Sequence, residues 1–402
     1  MNVALGRCPR GLAVAAWFAL ASGCQSGPTT NLLSAEGPPL DDDLPRYGLN
    51  LGGSGTWGAE QLRANVLANP GLEAILDRTI VVASEASADR VVDDRDWLAR
   101  PDGFWTGHGY DIRSGAGAGL SGRVLDSRKN PRGLAEIRLD RTDSRVRPGD
   151  VLVLTRDRDD TPAPLWWTAK GKIASAPGET RPGSPGSQSV RLLAGERQAA
   201  ELIHYLDNIG ERAGKLLPVR GEWRLAFWAR ARNPAARLHV RFDRGGHAVF
   251  VDVELVPESQ WQQHVFRFAA SDDGPPGVLT LALSALGSEV QIDDVWLGEA
   301  GTDSAGFRRE VVDTLRGLRP GFLRDWQGQL GDTLSNRLAP EHGHRPARYR
   351  PGDDQAQFHY GLPDFLSLCA EVGAQPWVVA PTTLGDDEWR SLGAYLDRKS
   401  VV

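Results

Sequence analysis

The sequence predicts an α+β multidomain protein in which an antiparallel β-sandwich interrupts a parallel β/α unit. Three observations carry this. Between residues 65 and 298, runs such as Trp223-Arg-Leu-Ala-Phe-Trp-Ala229 and Val249-Phe-Val-Asp-Val-Glu-Leu255 are short, rich in β-branched and aromatic residues and mostly alternating, with Gly, Pro, Asn and Asp clusters between them. After Gly298 the apolar residues fall at helical spacing, broken by single short apolar runs. A lone apolar run, Tyr47-Gly-Leu-Asn-Leu51, stands ahead of the whole β region.

The chain has 402 residues, 41% hydrophobic and 24% charged, enough for two or three domains with cores. Its formal charge of -6 comes from interspersed acids and bases, without the basic stripe that holds nucleic acid. Tryptophan is plentiful, 13 against 6 tyrosines. The indole offers a wide apolar face with an N–H at its edge, suited to sandwich cores and to stacking on sugar rings.

At the N-terminus, Arg7 and Arg10 precede an apolar stretch, Gly11 to Leu20, too short for a comfortable bilayer span, and Ala21-Ser-Gly-Cys24 follows. This resembles a bacterial lipoprotein signal over residues 1–24. The resemblance implies lipidation of Cys24 and, with Gln25 next, a lipid-anchored protein of the bacterial outer membrane, periplasmic or on the cell surface. An ordinary secretory signal with a chance cysteine is the alternative. Residues 25–45, rich in Pro, Gly, Ser and Asp, read as a flexible tether.

Folding is expected from Arg46. The first strand and an amphipathic segment occupy 46–64, and the sandwich occupies 65–298. Within it, Ala174 to Ser189 is a low-complexity surface loop. Over 299–402, Phe307, Val311, Val312, Leu315 and Leu318 share a helical face that Pro320 closes. Gly321-Phe-Leu-Arg324 is a strand, Leu362 to Val372 a helix between Pro363 and Gly373, Gln375 to Ala380 a strand, and Asp386 to Leu396 a helix. Such alternation means parallel strands with crossover helices.

These segments resemble glycoside hydrolases of the (β/α)8-barrel clan A, of the α-L-arabinofuranosidase type, over residues 46–58 and 305–396. Asn65-Val-Leu, Asn69-Pro-Gly-Leu-Glu73, Trp261 to Phe268 and Gln291 to Leu297 resemble jelly-roll carbohydrate-binding modules. The implied fold is a jelly-roll β-sandwich inserted in a partial (β/α)8 barrel. Side chains at the carboxyl ends of barrel strands face a common cleft. The resemblance therefore implies substrate-binding roles for Asn50 and Trp57 after the first strand and for Arg324, Asp325, Trp326 and Gln327 after the second, with Asp332 and Asn336 lining the same rim. The same residues also fit a buried Arg324–Asp325 ion pair with Trp326 as packing, and a solvated loop at Asp332 and Asn336. Arg324-Asp-Trp-Gln-Gly departs from the Arg-x-Pro-Gly-Gly turn common after the second strand, leaving the substrate open.

Hydrolysis in this clan uses two glutamates, the acid/base normally within an Asn-Glu pair. No Asn-Glu occurs, and Glu310, Glu371 and Glu388 fall on predicted helices as surface carboxylates. The expectation is the N-terminal portion of a surface-anchored glycoside hydrolase, inactive without its catalytic pair, that meets polysaccharide or oligosaccharide and the membrane through its anchor. A non-enzymatic glycan-binding lipoprotein is the alternative. No catalytic residue, metal ligand or cofactor is assigned, beyond a structural calcium that the module resemblance implies near Asp293 and Asp294. Trp105, Trp166 and Trp167 are either stacking residues or core. His342-Gly-His344 lacks a third ligand at motif spacing, and Gly115 to Gly119 lacks the context of a nucleotide loop.

Overall fold

The structure, a computed structural model, describes residues 47–51, 62–87, 89–95, 100–141, 146–157, 163–209, 212–215, 217–302, 306–325, 332–348 and 360–399. The signal and tether with Cys24, and Trp57, Trp326 and Gln327, lie outside the described residues. Among the described residues no helix is long and apolar enough to cross a membrane.

Strand β1 (Gly48–Leu51) opens the fold, and β2 (Leu76–Val82), β3 (Glu85–Ala86), β4 (Arg90–Asp93), β5 (Gly109–Ile112), β6 (Ser121–Lys129), β7 (Ala135–Leu139) and β8 (Val151–Asp157) follow. The order β2-β8-β5-β6-β7-β4-β3 places consecutive pieces of chain at its two ends, so the sheet rolls up on itself. Val82 N–H donating to Asp93 Oδ2 at 2.9 Å ties β2 to β4 across the closure. Val91, Trp105, Tyr110, Val124, Leu152 and Leu154 fill the interior.

Strands β9 (Trp167–Lys170), β10 (Ile173–Pro177), β11 (Gln188–Leu192), β12 (Ala200–Leu206), β13 (Asn208–Ile209), β14 (Arg212–Ala213), β15 (Arg220–Arg230), β16 (Arg237–Arg244), β17 (Ala248–Leu255), β18 (Gln262–Ser271), β19 (Leu279–Leu286) and β20 (Val290–Glu299) form the second β body. Apart from the β13–β14 pair, they build two five-stranded antiparallel sheets, β10-β11-β20-β15-β18 and β17-β16-β19-β12-β9. Alternation along each strand turns Trp223, Leu225, Phe227, Phe242, Leu281 and Leu283 into the shared core of a sandwich. A buried charge cluster lies near that core, with Arg244 between Asp207 and Asp272. Arg244 donates to Asp272 at 2.7 Å, to Asp207 at 2.9 Å and to the Leu217 carbonyl at 2.6 Å, which offsets the cost of dehydrating it.

The spacing of strands over 65–298 predicts a single sandwich, whereas the strands sort into two bodies with separate cores. The apolar faces of β2 to β8 turn toward each other once the sheet rolls, so they need no second sheet to cover them. Residues 62–73 form a strap along the upper half of β20. Val66 N–H donates to the Leu297 carbonyl at 2.9 Å, Val295 N–H to the Pro70 carbonyl at 2.8 Å, and Asn65 accepts from Leu297 N–H at 3.1 Å. The strap takes the place of β11, whose own pairing with β20 covers only Val290 to Ile292.

The third body begins with α1 (Arg309–Leu318), β21 (Phe322–Asp325), α2 (Leu334–Leu338) and β22 (Ala347–Arg348), then α3 (Leu362–Val372), β23 (Gln375–Trp377) and α4 (Asp386–Lys399). Helix α1 ends where Arg319 adopts a left-handed conformation, and α3 ends at Gly373, whose φ of 74° suits a residue without a Cβ. β1, β21 and β23 form a parallel sheet in sequence order, with Leu49 opposite Leu323 and Leu323 opposite Pro376. Phe307, Val312 and Leu315 by α1, Leu362 and Phe365 of α3 and Leu392 of α4 share one core with Leu51 and Leu323, so the helices cover a single face of the sheet. β22 extends the rolled sheet beside β2 and ties the third body to it.

Candidate functional site

Period-two alternation in a strand decides which strand-end residues meet. Leu49, Leu51, Leu323 and Asp325 point toward the helices; Asn50, Arg324 and Trp377 point to the opposite face. These three are register partners, Asn50 opposite Arg324 and Arg324 opposite Trp377, one row across the carboxyl ends of β1, β21 and β23. The Arg324 guanidinium carbon lies 4.8 Å from the centre of the Trp377 ring, and the Phe322 ring packs 5.6 Å from Trp377. Trp377 is 50% exposed and Asn50 is also exposed. The row presents an apolar plate, a planar fork of N–H donors, and an amide that both donates and accepts.

Asp325 does not join that row. It is buried on the helix side in an ion pair with Arg337, and the Tyr360 hydroxyl lies 3.3 Å from its Oδ1. Burial, and then the negative charge of Asp325, push the Cys369 thiol up to about 12, so the thiolate is not available near neutrality.

Asp332 and Asn336 are likewise buried and bind each other, Asn336 Nδ2 donating to Asp332 Oδ1 at 2.9 Å. Asn336 also accepts from Arg345 N–H at 2.8 Å and donates to the Arg345 carbonyl at 2.9 Å. The Asp332 carbonyl accepts from Arg78 at 2.9 Å and from the Thr383 hydroxyl at 3.0 Å. Together they knot the rolled sheet to the loop after β23. Burial pushes the Asp332 carboxyl up to about 6.

The sequence places Glu388 on the surface, but it closes this knot. It accepts from Arg78 at 3.1 Å, Gly385 N–H at 2.9 Å and Leu334 N–H at 3.0 Å. Burial opposes its charge, yet the Gly385 N–H and Arg78 hold its carboxyl below the usual range. Beside it, Arg78, Asp111, Arg113, Asp386, Asp387 and Arg390 line an open cleft of about 610 Å³. Its charges largely neutralise one another, Arg390 pairing with Asp387 at 2.7 Å and Arg113 with Asp111 at 3.8 Å.

In the sandwich, Asp294 accepts from Arg181 Nε at 2.6 Å and from the Ser184 hydroxyl at 3.1 Å, and Asp293 accepts from Arg181 N–H at 2.7 Å. The Arg181 guanidinium is thus the cation paired with Asp294. Among the described residues no group of three or more His, Cys, Asp or Glu side chains could hold a metal ion. Burial and the neighbouring Asp294 push the Asp293 carboxyl up to about 8. Trp105 and Trp167 are core residues, Trp167 donating from its indole to the Asn69 carbonyl at 3.0 Å.

Of the sequence-predicted residues, Asn50 and Arg324 come together, while Asp325, Asp332 and Asn336 form buried contacts elsewhere. Trp377, which lies within the strand that the sequence predicts over Gln375 to Ala380, completes the row.

No family model and no curated protein matches the chain. Among solved structures it is similar to the arabinose-bound α-L-arabinofuranosidase MgGH51, with 13% identity over 53% of this chain and 37% of that one and a TM-score of 0.39. It is also similar to the carbohydrate-binding module TmCBM61 in complex with β-1,4-galactotriose, with 18% identity over 33% of this chain and 86% of that one and a TM-score of 0.23. A third is a cyclase from Fischerella sp. TAU, with 16% identity over 33% of this chain and 84% of that one and a TM-score of 0.24. The chain thus spans about a third of the arabinofuranosidase. Likeness at this level assigns no function.

Proposed function

We propose that the protein binds glycans through the Asn50–Arg324–Trp377 row, and that the parallel sheet carrying it is a segment of a glycoside-hydrolase type (β/α)8 barrel. The observation that carries the proposal is the row itself: an exposed indole and two polar side chains in register at the carboxyl ends of three parallel strands. A pyranose has an apolar C–H face and a ring of equatorial hydroxyls. The first suits the indole, and the second suits planar groups that donate and accept in fixed directions.

The barrel reading rests on winding. Helices on both faces would mark a doubly wound sheet. Here the strands run in sequence order with the described helices packed on one face, as in a barrel, whose catalytic and binding residues stand at the strands' carboxyl ends. The row supplies capture; its side chains include no carboxylate to act as acid or nucleophile. We extend the proposal to a lipid anchor at Cys24, which holds the protein at the bacterial outer membrane; labelling with radioactive palmitate, lost in Cys24→Ala, tests it.

A glycan array probed with the whole chain, followed by titration calorimetry on the best ligand, tests the sugar site. Binding that falls at least tenfold in Trp377→Ala supports it, a loss of the size expected for one ring stacked on an aromatic plate. Binding unchanged in Trp377→Ala, or no saccharide bound at all, refutes it.

A further inference from the structure

A second row of side chains crosses the sandwich at one end of its β11-β20-β15 sheet. Arg191 of β11 is the register partner of Gln291 in β20, and Gln291 is the partner of Arg230 in β15, so all three side chains leave the sheet on one face. They line a pocket of about 270 Å³ whose rim carries Arg232, Asn233 and Glu289.

The two arginines of the row are in different states. Arg230 is committed: its Nε donates to Gln291 Oε1 at 2.8 Å, its Nη2 to Glu179 Oε2 at 3.1 Å, and its guanidinium lies 4.7 Å from the Trp261 ring centre. Gln291 is held in turn by donating to the Ser189 hydroxyl at 2.7 Å. These bonds fix the wall. Arg191 Nε, by contrast, is buried with no hydrogen-bond partner among the described residues. A guanidinium offers five N–H donors and no acceptor. Burying one of them unmatched carries the cost of its lost hydration. Such a cost beside a pocket marks the place of an acceptor that the described residues do not supply.

We propose that this pocket binds the carboxylate of an acidic sugar, with Arg191 as its cation. The charge balance selects the anion. Three arginines and two glutamates line the pocket, a surplus of one positive charge, which matches a monoanionic carboxylate better than a phosphate dianion. The size selects the bearer. Pockets for drug-sized ligands measure about 300–1,000 Å³, so this smaller one has room for a single sugar unit. Asn233, Ser288 and the two carboxylates provide donors and acceptors for its hydroxyls. The site stands apart from the strand-end row and needs nothing from it.

Titration of the full chain with tri-galacturonate, its fully methyl-esterified form and inorganic sulfate tests the assignment. The expected result is binding of tri-galacturonate that weakens about tenfold or more on methyl esterification and by a similar factor in Arg191→Met, the loss expected for a hydrogen bond to a charged group. Both differences should persist in a Trp377→Ala background, in which the row no longer contributes to sugar binding. Arg232→Glu, at an exposed rim position, gives a second reading should Arg191→Met fold poorly, and it too should weaken binding. The proposal is overturned by no binding of tri-galacturonate by the native chain, by equal binding of the ester, or by equal affinity in a folded Arg191→Met or Arg232→Glu variant. Sulfate binding as tightly as the trisaccharide would reduce the pocket to a simple anion site and overturn the sugar assignment.

Discussion

The Tyr360 hydroxyl donates to the main-chain carbonyl of Leu51 at 3.0 Å, joining residues 309 positions apart. The same oxygen lies 3.3 Å from Asp325, so one side chain holds together the ends of β1 and β21 and the start of α3. Tyr360→Phe keeps the ring and removes this link. It should lower stability by about 1–2 kcal/mol, the cost of a buried carbonyl left without its donor, as read from the midpoint of urea unfolding.

Arg337→Met leaves Asp325 charged and buried with its cation gone. The expected loss is about 3–5 kcal/mol. A double variant, Asp325→Leu with Arg337→Met, should recover most of it, because the remaining pair would be apolar and of similar volume. Comparing both with the native chain by denaturant unfolding distinguishes an ion-pair effect from a general packing defect.

His204 provides a pH dependence with a definite sign. It is buried in the sandwich, Nε2 lying 3.1 Å from Ala68 N, its ring edge-on to Trp167, and burial lowers its pKa from 6.5 to about 4. The folded protein therefore keeps the ring neutral where the unfolded chain has protonated it. Its contribution to stability is complete above pH 6.5 and is lost as pH falls toward 4, by about 3 kcal/mol in all. His204→Phe should flatten that part of the stability profile between pH 7 and pH 4.5. A profile with unchanged slope contradicts a neutral buried imidazole.

Gly298 lies where the strap crosses β20, and a Cβ there would stand 2.0 Å from the Ala64 carbonyl oxygen. The obstacle is backbone, which cannot rotate aside. Gly298→Ala should cost about 1–3 kcal/mol, and hydrogen exchange should show lost protection at Val66 and Leu297 before the rest of the sandwich.

The parallel sheet and the β-rich insertion were both legible in the sequence, because each rests on a local period: two in Trp223 to Ala229, three and four in Phe307 to Leu318. The rolled sheet was not, since its strands carry the same period as those of the sandwich and only pairing tells them apart. The strand-end site was half legible. Arg324 and Asp325 are adjacent, and alternation alone puts them on opposite faces, so the sequence held the reason why Asp325 stays out of the row. Trp377 could not be found this way, because its place opposite Arg324 depends on the register between distant strands. The pairings of Asp325 with Arg337 and of Glu388 with Arg78 are likewise facts of tertiary structure: two polar residues on predicted loops and helices look solvated until the chain brings each its partner.

The antiparallel bridge between Arg63 and Phe307 brings the two ends of the inserted β region side by side. Were the chain between them still a loose coil when β1 sought β21, closing so large a loop would slow assembly at the rate-limiting step. Once the intervening β bodies have collapsed, the two ends emerge side by side, with Arg308 N–H 2.9 Å from the Leu62 carbonyl, and what remains is a short-range search. Were the inserted region to collapse first, it would act as an internal template, and variants that slow its collapse should delay the parallel pairing in refolding kinetics.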